Sequence, residues 1–158
     1  MSMANKPASA EHGTFVIERN YEASPAQVFA AWASAQAKQR WFGCNDELVQ
    51  TGYSLDFRVG GSEHSNTGPK GGTRHIYEAR YWDIVPDERI VFSYDMHLDE
   101  RRISVSLTTI EFHATQGGTR MVFTEQGVFL DGHDTPAQRE HGTGVGLENL
   151  GKYLRAAA

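Results

Sequence analysis

The sequence predicts an α+β fold: an antiparallel sheet of six or seven strands, two short helices after the first strand, and one long C-terminal helix. Three observations predict it. Apolar and polar residues alternate from Glu47 to Gly127, with turn residues between the runs, as in an antiparallel meander. The tetrapeptides Ser24-Pro25-Ala26-Gln27 and Thr135-Pro136-Ala137-Gln138 each carry the cap, first-turn proline and third-position glutamine that open a helix. The chain has 158 residues, the length of one ordinary domain. At that length roughly 70% of the unfolded surface is buried, so neither disulfides nor a structural metal are needed.

Residues 1–12 have no periodicity and read as a disordered arm, leaving 13–158 as a single domain. The first strand spans Thr14 to Ala23, with Phe15, Ile17 and Tyr21 on one face and Glu18 and Asn20 on the other. Ser24 caps a short helix in which Val28, Phe29 and Trp32 recur at helical spacing. Ser34 caps a second, running to about Trp41 and Phe42 before Gly43.

In the meander, Tyr53, Leu55, Phe57 and Val59 alternate with polar residues, and Gly60-Gly61 permits a sharp reversal. Ser62 to Thr67 carries no apolar residue on either face, so it is either an exposed edge strand, the simpler reading, or the wall of a wet pocket. A long strand covers Thr73 to Val85, with His75 and Tyr77 on one face and Ile76, Glu78 and Trp82 favouring the other. Pro86-Asp87 turns the chain into Arg89 to His97, where Ile90, Phe92, Tyr94 and Met96 share a face. Asp99-Glu100 starts the next hairpin. Arg102 to His113 presents Ile103, Val105 and Leu107 together, and its parity switches at Thr108-Thr109, as at a bulge. Gly117-Gly118 leads into Thr119 to Gly127, which puts Met121, Phe123 and Glu125 on one face.

The terminal helix extends to about Arg155, with Val145 or Gly146, Leu147, Leu150, Tyr153 and Leu154 turned to the sheet. It also holds Gly142, Gly144, Gly146 and Gly151. Each interior glycine costs about 1 kcal/mol relative to alanine. Either these positions admit close packing, or their missing side chains leave space between helix and sheet.

Fifteen Lys and Arg against twenty Asp and Glu give a net charge of −5, opposite in sign to a binder of nucleic acid or anionic membrane. No apolar run approaches the eighteen or so residues of a spanning helix. Cys44 is the single cysteine, and the opening residues lack a secretion-signal pattern, so a cytoplasmic location is expected. The 7 histidines form no HExxH, and neither a metal site nor a cofactor is expected. Asp131-Gly132-His133-Asp134 reads as a turn before a helix cap. Gly142-Thr143-Gly144-Val145-Gly146 begins inside a helix, where its N–H groups are already engaged, which excludes a phosphate loop. No G-x-S-x-G nucleophile elbow occurs.

The order of elements, with Tyr21 to Trp32 (YEASPAQVFAAW), Arg40 to Gly43 (RWFG), Asp56 to Gly61 (DFRVGG), Asp83 to Met96 (DIVPDERIVFSYDM) and Gly117 to Gly127 (GGTRMVFTEQG), resembles the SRPBCC (START-like, Bet v 1-like) superfamily. Within it, the chain resembles the domain of the activator of the ninety-kilodalton heat-shock-protein ATPase, in its stand-alone bacterial form. The likeness covers roughly residues 13–155. It implies a helix-grip fold, in which a curved antiparallel sheet wraps the final helix and leaves a cavity. Relatives span carriers, receptors, cyclases and binding modules, so the fold implies no one activity.

The leading expectation is a protein that binds a small hydrophobic or aromatic molecule in that cavity, with Trp41, Phe42, His75, Tyr77, Tyr94, Met96, Phe123, Gly142 and Gly146 as ligand-binding residues. A second reading is a cyclase, dehydratase or hydrolase that uses Glu125 with His75 or Tyr77 for proton transfer. Glu125 otherwise reaches solvent or pairs with Arg58 or Arg120. A third is a chaperone-associated interaction domain. The resemblance covers only the carboxyl-terminal half of the eukaryotic activator, so stimulation of the chaperone itself is not expected. A homodimer through a sheet edge is compatible with the sequence.

Overall fold

A computed structural model describes residues 6–43 and 49–158. Residues 1–5 of the expected arm, Cys44, and Glu47 at the expected start of the meander lie outside the described residues. The elements follow the order β1 (Ala10–Tyr21), α1 (Pro25–Ala33), α2 (Ala35–Trp41), β2 (Val49–Leu55), β3 (Ser62–Gly68), β4 (His75–Val85), β5 (Arg89–Leu98), β6 (Arg101–Thr115), β7 (Gly118–Leu130) and α3 (Pro136–Ala156). The strands form one antiparallel sheet in the order β1-β7-β6-β5-β4-β3-β2. One face packs under the three helices, and the fold is the α+β helix-grip arrangement.

Local chemistry sets the helix ends. Ser24 Oγ accepts from Gln27 N while Gln27 Oε1 accepts from Ser24 N, at 3.2 and 2.8 Å, a complete capping box. Ser34 Oγ caps α2 through Ala37 N at 3.2 Å. At α3 only half of the box forms. Thr135 Oγ1 accepts from Gln138 N at 3.1 Å, but Thr135 N donates to Asp134 Oδ1 at 2.8 Å instead of to glutamine. Asp87 and Asp99 hold positive φ in the β4–β5 and β5–β6 turns, and Asp131 does so where β7 leads into α3, a conformation that Asp tolerates better than most residues.

Three expectations are corrected and one open alternative is decided. β1 starts at Ala10, not Thr14: Ala10 to His12, assigned to the arm, pair with Leu130 to Val128, and Ser9 exchanges hydrogen bonds with Asp131. β3 is not an edge strand. It lies between β2 and β4, with Glu63, Ser65 and Thr67 buried. The parity switch of β6 falls near Ile103, opposite the irregularity at Met96/His97, not at Thr108-Thr109. Ser104, Ser106 and Thr108 therefore point inward in register with Ile110 and Phe112, while Val105 and Leu107 are exposed. Of the two alternatives in α3, Gly146 takes the inward position and Val145 faces solvent. The second and third corrections share a cause: polar side chains face the interior because buried charges there need them as partners.

The core joins Phe15, Ile17 and Tyr21 of β1 with Val28 and Trp32 of α1, Ile90 and Phe92 of β5, Met121 and Phe123 of β7, and Leu147, Leu150 and Leu154 of α3. Tyr21 packs closely against the C-terminal half of α3. There Tyr21 Oη donates to Leu147 O at 2.9 Å, and a Cβ on Gly151 would lie 3.3 Å from the Tyr21 ring. Gly151 thus fits the close-packing explanation. No helix among the described residues is long and apolar enough to cross a membrane.

Candidate functional site

The N-terminal half of α3 behaves differently. Arg139, Gly142, Thr143 and Gly146 recur at i, i+3, i+4 and i+7, one helix stripe, and all four line a cavity of about 460 Å³ between helix and sheet. A Cβ on Gly142 or Gly146 would meet nothing within 4 Å. Gly146 leaves space in the half-buried wall and Gly142 at its exposed end, whereas Tyr21 lies against Gly151. α2 and its cap contribute Trp41 and Phe42 to the wall, β4 contributes His75 and Tyr77, β5 contributes Tyr94 and Met96, and β7 contributes Phe123. His75 is exposed at the mouth while Tyr77 is buried, so their shared face does not give them a shared environment.

The rings form a continuous wall. Trp32 meets Trp41 edge-on at 4.7 Å and stacks on Phe123 at 6.3 Å; Phe42 meets Tyr77 at 5.1 Å, and Tyr77 meets Tyr94 at 4.8 Å. Such offset and edge contacts hold rings in place better than their area alone would.

Two ionic clusters lie in the interior. In the first, Arg139 donates to Tyr94 Oη at 2.8 Å, Ser104 Oγ at 2.7 Å and Asp134 Oδ2 at 3.0 Å. Tyr94 Oη in turn donates to Glu125 Oε2 at 2.8 Å, and Thr108 Oγ1 donates to Glu125 Oε1 at 3.1 Å. Glu125 points inward, as its register with Met121 and Phe123 predicts, and only 1% of it is exposed. Its charged partner is Arg139, 3.9 Å away, and neither of the two arginines expected. Arg58 pairs with Asp56, and Arg120 with Glu18. Burial works against the Arg139 charge, but Tyr94, Glu125 and Asp134 together hold the guanidinium above its ordinary pKa.

The second cluster is one that the sequence reading missed. Lys38 Nζ lies 2.8 and 2.9 Å from the two oxygens of Glu63, and both side chains are fully buried. Tyr81 Oη donates to Glu63 Oε1 at 2.8 Å, and Tyr53 Oη donates to Oε2. The ammonium also sits over the rings of Phe42, Trp32 and Trp41 at 4.4, 5.1 and 6.0 Å. The available signal was a glutamate in an all-polar strand together with a lysine one turn before Trp41 on a short, otherwise apolar helix face.

Burial pushes the Glu125 carboxyl above its ordinary 4.5, and the Tyr94 hydrogen bond and the Arg139 charge offset only part of that. A carboxyl with a higher pKa folded than unfolded keeps its proton longer in the native state. Its contribution to stability therefore falls as pH rises from the unfolded value through the raised one. Glu125→Gln cannot titrate. Denaturant unfolding over a pH series is expected to show a descending component above about pH 4.5 in the parent that the variant lacks, and superimposable profiles would contradict it.

The sheet wrapped on a long helix, and the half-hollow interface between them, define the class to which comparison assigns the chain. The family model described as "Activator of Hsp90 ATPase homolog 1-like protein" matches residues 22–155, and the chain belongs to that family. An uncharacterized protein of Rhizobium leguminosarum of known structure is 50% identical with a TM-score of 0.91, covering 96% of this chain and 99% of that one. The Mll3558 protein of Rhizobium loti is 45% identical with a TM-score of 0.85, covering 92% and 99%. An AHSA1-like protein of Aeromonas hydrophila, 24% identical with a TM-score of 0.72 over 92% of this chain and 94% of that one, shares the fold. No curated protein matches the sequence.

Proposed function

We propose that the protein binds a small molecule with a hydrophobic or aromatic body in the cavity between the sheet and α3. The observation that carries this reading is the pair Gly142 and Gly146. They sit on the cavity stripe of a helix with open space where a Cβ would go. Alanine at each position would favour the helix by about 1 kcal/mol. A helix that keeps glycine where nothing crowds it is using the vacancy. The aromatic wall supplies apolar contact area, and a few polar groups at one end supply orientation, the usual make-up of a small-molecule site. The net charge of −5 and the single cysteine fit a cytoplasmic small-molecule partner better than a nucleic acid.

Proton transfer by Glu125 is the second reading, favoured by its burial in the cavity wall and its raised pKa. Both of its oxygens are already hydrogen-bonded, which supports an orienting role for it over a reacting one.

Titration with an apolar aromatic probe, followed by two-dimensional NMR, tests the binding reading. Saturable shifts are expected to concentrate on Met96, Phe123, Gly142 and Gly146, with a rise in unfolding free energy of about 2.7 kcal/mol at a hundredfold excess over Kd. Shifts that never saturate, or that map to Val105 and Leu107 on the outer sheet face, would overturn it.

A further inference from the structure

Two polar atoms in the aromatic wall have no partner. Tyr77 Oη and Trp32 Nε1 are buried and make no hydrogen bond among the described residues, and both residues line the cavity. Leaving a buried polar group unpaired costs on the order of 1–3 kcal/mol, and native structures rarely keep one without a use. An indole N–H is only a donor. Burial, reinforced by the nearby charge of Glu63 and by other neighbours, pushes the Tyr77 phenol well above its ordinary 10.0, so it keeps its proton and donates too. Both vacancies therefore call for an acceptor.

The charges of the wall say which kind. Arg139 already serves Tyr94, Ser104 and Asp134, and it faces the carboxylates of Glu125 and Asp134. Lys38, the other cation against these rings, is held by both oxygens of Glu63. An incoming anion would therefore meet three acidic groups and two cations already in use. The imidazoles of His75 and His133 lie at the exposed mouth, away from the buried wall. A neutral acceptor meets no such opposition.

Building on the binding reading above, we propose that the cavity selects a neutral ligand whose aromatic or apolar body carries a carbonyl-type hydrogen-bond acceptor, received by the Tyr77 hydroxyl, with the Trp32 N–H as a second donor. Carboxylates of the same shape are discriminated against.

Three probes of nearly equal size test this: 2-acetylnaphthalene, its isosteric hydrocarbon 2-isopropenylnaphthalene, and 2-naphthoate, each titrated at pH 8 against the parent and Tyr77→Phe. The ratio of ketone to hydrocarbon affinity is expected to be about tenfold higher in the parent than in the variant, as for one net hydrogen bond. The naphthoate is expected to bind more weakly than the ketone. Tyr77→Phe keeps the ring and is expected to unfold at the parent temperature or above, since it removes only an unpaired hydroxyl. An unchanged ratio in Tyr77→Phe, or tightest binding by the naphthoate, overturns the inference and leaves cavity binding standing. Failure of all three probes to bind overturns both.

Discussion

Lys38→Met is expected to cost about 3–5 kcal/mol in urea unfolding. Neither Lys38 nor Glu63 has exposed side-chain surface, and the lysine holds both carboxylate oxygens. Methionine fills the same volume and keeps contact with the Trp32, Trp41 and Phe42 rings, but it leaves Glu63 as a buried carboxylate with only phenolic donors. That charge is the source of the loss. Removing both charges should recover most of it, because an apolar or neutral replacement for a buried pair is often close to neutral. The double variant Lys38→Met/Glu63→Gln is therefore expected to be more stable than Lys38→Met alone, with the glutamine still able to accept from Tyr53 and Tyr81. A loss under about 1 kcal/mol in the single variant, or simple additivity in the double, would show that the pair is not coupled as described. The effect also bears on the cavity. The ion pair ties α2 to β3 across the sheet face, and α2 with its cap carries Trp41 and Phe42 into the wall.

The same cluster shows where reading a sequence stops. The first strand, both short helices, the hairpins and the terminal helix follow from alternation, caps and turn residues, because those signals are local. The inward face of Glu125 also follows, since its strand is regular from Met121 onward. β3 and the first half of β6 do not follow. Pattern reading assigns apolar residues to the inside, yet Glu63 answers Lys38, and Ser104 answers Arg139. A polar residue is turned inward by a partner distant in sequence, 25 positions away for Lys38 and Glu63, and 35 for Ser104 and Arg139. Nothing local reveals such a pairing. Val105 and Leu107 then take the outer face because their neighbours have the inner one. The four helix glycines carried an ambiguity for a related reason. Whether a missing side chain marks close packing or a vacancy depends on what lies opposite, and α3 contains both cases, with Tyr21 against Gly151 and open space at Gly142 and Gly146.

Gly146→Leu separates the two roles that a helical glycine can have. Leucine has nearly the helix preference of alanine, so the substitution should stabilise the fold by about 1 kcal/mol. Its side chain meets no atom within 4 Å at Cβ and projects into a cavity of about 460 Å³ lined by apolar rings. A ligand would have to displace it, and affinity for an apolar aromatic probe is expected to fall at least tenfold. Gly151→Leu is the contrast: the Tyr21 ring lies 3.3 Å from the new Cβ, so the fold should lose stability. Probe affinity and unfolding free energy measured together on the parent and Gly146→Leu give the most direct test of the vacant interface. A more stable protein that binds at least tenfold less tightly is expected; a variant that loses stability, or that binds as the parent does, would contradict a vacant, ligand-accepting interface.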